Sequence, residues 1–149
     1  MALPRLQDYL PKELDLGHAV SLGEHERSLA RFEEKAAALG RSLARFVEDV
    51  ESFKPLTEAD VAAVLREIES QESQAESSLR DALRAAEARS RKVPSSRNGD
   101  LGAREATAIR SILHAYGQAK RRLLTLRDRL LVREAQEMSA PVFWGDDGP

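Results

Sequence analysis

Three histidines and no cysteine limit the chemistry open to this sequence. His18 and His25 stand seven residues apart. Even on one helix face that is two turns and about 10 Å, too far to share a metal ion. His114 has no second ligand at metal-binding spacing. The eight glycines are scattered, and none falls in a Gly-x-x-x-x-Gly-Lys loop, whose backbone amides cradle phosphates. Ser95 and Ser96 lie in a polar run with no histidine nearby in sequence to act as a base. These patterns predict a protein that is not an enzyme and that holds no metal and no cofactor.

Two groups of residues remain that could bind another molecule. One is the basic set Lys120, Arg121, Arg122, Arg127, Arg129 and Arg133. Cations along a helix neutralise phosphates, so this is the alternative, nucleic-acid-binding face, with Tyr116 close enough in sequence to stack on a base. Against it, Tyr116 falls on an apolar seam, and acidic segments of the same chain are available to pair these charges. The other group surrounds the single tryptophan, in Pro141-Val142-Phe143-Trp144-Gly145-Asp146-Asp147. Large aromatics bury much apolar surface, and a chain with only four Phe, two Tyr and one Trp normally keeps its Trp inside. Pro141 and Gly145 predict that no helix continues through this stretch. Val142, Phe143 and Trp144 then read as a docking anchor, with Asp146 and Asp147 on its polar rim. The plainer alternative is that the same residues fold back over the end of a helical bundle.

Three long helices must position these groups. Leu22, His25, Leu29, Phe32, Ala36, Leu39, Leu43, Phe46, Val50 and Phe53 alternate spacings of three and four, and only His25 departs from apolar character. Ser21 and Glu24 form a capping-box pair at its start, and Pro55 stops it. Thr57 caps the second helix, with Glu58 and Asp60 in the first turn. Its seam of Val61, Leu65, Ile68, Glu72, Ala75, Leu79, Ala82, Ala86, Arg89 and Val93 is interrupted by charge and thinned by alanine, making it the weakest core contributor. Residues 93–100, with their Asn-Gly pair, read as a loop. The third seam is Ile109, Ile112, Tyr116, Ala119, Leu123, Leu126 and Leu130, widened by Leu113, Leu124 and Leu131. The predicted fold is therefore all-α, an antiparallel three-helix bundle or coiled coil over residues 21–139. Its helices fall at about 21–54, 57–93 and 101–139, with an N-terminal arm at 1–20 and a docking tail at 140–149.

Charge favours up-down-up packing within one chain. Residues 1–76 carry nine Lys/Arg against sixteen Asp/Glu, and residues 77–149 fourteen against nine, so the halves are about −7 and +5. In that packing the acidic start of helix two faces the basic end of helix three, and the basic end of helix two faces the acidic start of helix one. The same complementarity lets chains exchange helices, so a homo-oligomer is expected. The arm, with Leu3, Leu6, Tyr9, Leu10, Leu14 and Leu16 between its prolines, reads either as a turn folded onto the bundle end or as a partner-binding segment. With no run of eighteen apolar residues and no secretion leader, no membrane is involved and the cytoplasm is the expected location.

The terminal Phe143-Trp144-Gly145-Asp146-Asp147, set behind coiled-coil seams, resembles the McdB family of carboxysome-positioning adaptors. The resemblance implies a non-enzymatic adaptor that oligomerises through its coiled coil and attaches to carboxysome cargo or a shell protein. It also implies recruitment of a ParA-type ATPase on the nucleoid. In this chain attachment would fall to Trp144, and the ATPase contact to basic residues of the arm, Arg5 and Lys12.

Overall fold

The seam predicted for the first helix is the one that folding buries. In a computed structural model, which describes residues 2–10, 22–92 and 97–147 and side chains at 2–10, 26–91 and 100–137, α1 spans Leu22–Ser52. Its Leu29, Phe32, Ala36, Leu39, Leu43, Phe46 and Val50 are all buried, joined by Val47. Each of these Leu, Phe and Val side chains contributes about 1.5–3 kcal/mol when taken out of water, so this face dominates the helix's stability. Ser21, His18 and the side chain of His25 lie outside the described residues.

The second start signal is made in full. The Thr57 hydroxyl accepts the Asp60 amide at 3.2 Å, while the Asp60 carboxylate accepts the Thr57 amide at 3.1 Å. This reciprocal box satisfies two amides that the first helical turn would otherwise leave unpaired. From it α2 runs over Glu58–Lys92, burying Val61, Val64, Leu65, Ile68, Leu79 and Ala86. No α2 side chain between Ile68 and Leu79 is fully buried, which is where Glu72 interrupts the seam.

The third helix is longer than its seam requires. α3 spans Arg97–Asp147, so at about 1.5 Å per residue it measures about 76 Å against about 46 Å for α1. Every predicted seam residue from Ile109 to Leu130 is buried. Its start corrects the predicted loop, because residues 97–100 are already helical. Asp100 sits in that first turn, where the positive end of the helix dipole favours a carboxylate, and connections between packed helices are commonly short.

Ion pairs give the topology. Arg104 of α3 pairs with Glu33 of α1, and Arg122 pairs with Glu51 at 2.6 Å; both pairs are separated by 71 residues, so α1 and α3 run parallel in one constant register. Lys120 with Glu72 and Arg127 with Glu58, the latter at 2.7 Å, set α2 antiparallel to α3. The described ion pairs at the basic end of α2 run to partners other than the start of α1. Arg89 pairs with Glu105 of α3, while Arg80 and Arg84 pair with Glu76 and Asp81 of their own helix. The reason is that α3 lies along both neighbours and offers the nearer counter-charge to each. Leu124 and Leu131, predicted to widen the third seam, are exposed, because they point past the flank that α2 covers.

Backbones approach closely at Gly102. A Cβ there would lie 2.8 Å from the Ala86 carbonyl oxygen and 3.0 Å from the Ser90 amide nitrogen. Gly102→Ala should therefore force α2 and α3 apart and destabilise by about 1–3 kcal/mol. At Gly117 a Cβ meets nothing within 4 Å, so Gly117→Ala should stabilise by up to about 1 kcal/mol through helix propensity. Thermal unfolding of the two variants checks this, and equal shifts would contradict the close approach.

Candidate partner-binding site

The amino-terminal segment forms one end of the bundle. Leu6–Asp8 make a single 3-10 turn that places Leu6 at 1% exposure inside the core. The Leu6 amide donates to Glu67 of α2 at 2.8 Å, and the Tyr9 hydroxyl donates to Asp49 of α1 at 2.6 Å. The Tyr9 ring meets Phe46 edge-on, with centroids 5.2 Å apart. One turn thus ties the end of α1 to the start of α2. Of the two readings of the arm, its described part is the folded-on turn. Arg5 lies directly before the anchor and is exposed; Lys12 lies outside the described residues.

At the waist of the bundle the seam is polar. Glu72 and Lys120 pair there with side-chain exposures of 17% and 30%. Beneath them Tyr116 is 1% exposed, and its hydroxyl has no hydrogen-bond partner among the described residues. Desolvation, reinforced by the Glu72 charge, raises the Tyr116 pKa above its ordinary value of 10.0. The Tyr9 phenol is raised as well, chiefly because it donates to Asp49. The buried ring of Tyr116 offers no face on which a base could stack.

The basic face is largely committed to carboxylates of its own chain. Lys120, Arg122 and Arg127 hold Glu72, Glu51 and Glu58, and Arg133 lies 3.7 Å from Glu137. Arg121 and Arg129 are exposed and have no carboxylate partner among the described residues. Partly exposed pairs of this kind contribute roughly 0–1 kcal/mol each, so they fix register more than they stabilise. His114 is exposed and lies 3.2 Å from Gln118. Among the described residues no cluster of His, Asp and Glu is arranged to hold a metal ion, and no helix is long and apolar enough to cross a membrane.

The carboxy-terminal segment departs from expectation in its backbone. α3 continues to Asp147, through Pro141 and Gly145, where the sequence predicts that helix ends at 139. A single proline removes one amide donor and crowds the preceding turn, but its fixed φ near −65° is itself helical. The side chains of Val142, Phe143, Trp144, Asp146 and Asp147 lie outside the described residues. The last described tie from α2 is the Glu58 amide donating to Glu134 at 3.2 Å. Thirteen residues of helical backbone follow Glu134, about 20 Å at the usual rise.

Nothing in the sequence marks Asp49 and Glu67 as acceptors for the arm, although the arm's Leu3, Leu6, Tyr9 and Leu10 carry the three-and-four spacing that signals a packed turn. No protein-family model matches this chain, and no similar curated protein or solved structure is found.

Raised phenol pKa values mean that the folded state holds those protons more tightly than the unfolded state. Their stabilising contribution is complete below pH 10 and is lost as pH rises beyond it. Tyr116→Phe should be neutral or stabilising near neutral pH, since it deletes a buried hydroxyl with no described partner. It should also lose less stability than the parent between about pH 8 and about pH 11. Urea unfolding at the two pH values decides it, and an equal loss in both proteins would contradict the buried phenol.

Proposed function

We propose that this protein is a non-enzymatic adaptor that associates with itself and presents its C-terminal residues to partners. The observation that carries this reading is the excess length of α3, whose backbone runs thirteen residues past its tie to the start of α2. A helix that served only the bundle would stop where its neighbours stop, because unpacked helix gains little from propensity alone. The continuation carries the single Trp and a pair of carboxylates, the residue types that anchor and rim small interfaces. Several copies joined through their bundles would offer several copies of that segment and gain avidity toward a large repetitive assembly.

The setting proposed is the one implied by likeness to McdB: attachment to carboxysome cargo or a shell protein through Val142, Phe143, Trp144, Asp146 and Asp147, and contact with a ParA-type ATPase through the arm. Arg5 suits that second role, being an exposed cation beside a rigid anchor, with Lys12 following it in sequence. The basic face of α3 supports a nucleic-acid role less well, because four of its six cations stand beside carboxylates of the same chain.

A tagged chain co-expressed with carboxysome components should colocalise with them. Trp144→Ala should abolish colocalisation while leaving helix content and thermal unfolding unchanged. An unaltered distribution of that variant would overturn the docking role.

A further inference from the structure

The N-terminal turn sits at the wrong end of α1 for a short connection. Tyr9 packs on Phe46 and bonds Asp49, near the end of α1, yet the chain must next enter α1 at Leu22, at the opposite end of the bundle. Leu22 and Phe46 are 24 residues apart in one helix, about 36 Å along its axis. Only twelve peptide links join Leu10 to Leu22, and a fully extended chain of that length reaches about 40–43 Å. Seating the turn on its own bundle thus uses most of the reach of the connection.

We propose that the seat formed by Phe46, Asp49 and Glu67 takes the N-terminal turn of a second copy, so that two chains dimerise by exchanging residues 3–10. α1 runs from Leu22 to Ser52, and a two-fold axis crossing it between Ala37 and Ala38 lays two bundles side by side and antiparallel. Leu22 of each copy then stands beside the seat of the other. The connection has only to step sideways between neighbouring bundles, roughly two helix diameters or about 20–24 Å, well within its extended reach. The outer face of α1 suits this alignment. Glu34 and Arg41 are exposed and have no partner in their own chain among the described residues; about that axis, Glu34 of each copy faces Arg41 of the other. Contacts at the seat are the same in either arrangement, so connection length decides between them, as in other exchanges of an identical element. This inference rests on the self-association part of the proposed function and names the contact that makes it.

The test varies the connection in the full chain and reads mass by light scattering across a concentration series. Removing four residues from 11–21 leaves eight links that reach at most about 26–29 Å, too few for a chain to fill its own seat. That variant should be dimeric at concentrations where the parent is partly monomeric. Inserting ten Gly/Ser residues should raise the dimer dissociation constant severalfold, because each chain can then reach its own seat without being drawn nearly taut. Adding Leu6→Asp to the shortened chain should return it to monomer with helix content intact, which separates loss of the anchor from unfolding. A shortened chain that stays monomeric overturns the exchange, as does a dimer whose population ignores both connection length and Leu6. Self-association of the parent without dependence on the connection overturns the exchange alone, whereas monomers in every variant overturn the self-association part of the proposed function as well.

Discussion

Everything in this molecule hangs on one face of α3. Ile109, Ile112, Tyr116 and Leu123 are at most 1% exposed, and each helps to fill the space between α3 and its two neighbours. Burial of that stripe is the term large enough to hold three long helices together. Ion pairs with Glu33 and Glu51 on one flank and Glu58 and Glu72 on the other then set where each neighbour lies along it. Apolar burial supplies the free energy, and charge supplies the register.

The same division of labour explains the waist. A bundle whose α2 seam were apolar throughout could slide by a turn at small cost. Glu72 and Lys120, partly buried and paired, disfavour such a slip, since it would separate the two charges and carry them off the one polar position of the seam. Tyr116 beneath them accepts a buried hydroxyl as part of that arrangement. At the bundle end the equivalent role falls to the N-terminal turn, whose two hydrogen bonds reach α1 and α2 at once.

Much of this was legible in the sequence, for identifiable reasons. Seams repeat every three or four residues because helices do, and the Thr57 and Asp60 pair announces a helix start through local geometry alone. What resisted reading depends on lateral order. Spacing shows that Leu124 and Leu131 lie near a seam but not on which flank the next helix lies, so both were placed in a core from which they are excluded. Charge complementarity paired the end of α2 with the start of α1, because composition cannot say that α3 supplies the nearer partner to each. Glu67 and Asp49 look like ordinary surface carboxylates until Leu6 and Tyr9 are brought to them from 61 and 40 residues away. Pro141 reads as a stop, yet the helical backbone passes through it.

Hydrogen exchange of the intact chain, followed by mass spectrometry, tests most directly that α3 is both the shared core and a projecting arm. Amides of residues 105–130 should be the slowest in the chain and exchange only with global unfolding, while amides beyond Glu134, past the last tie to α2, should exchange orders of magnitude faster within the same helix. Slowest exchange in α1 or α2, or protection past Glu134 equal to that of the seam, would contradict the account.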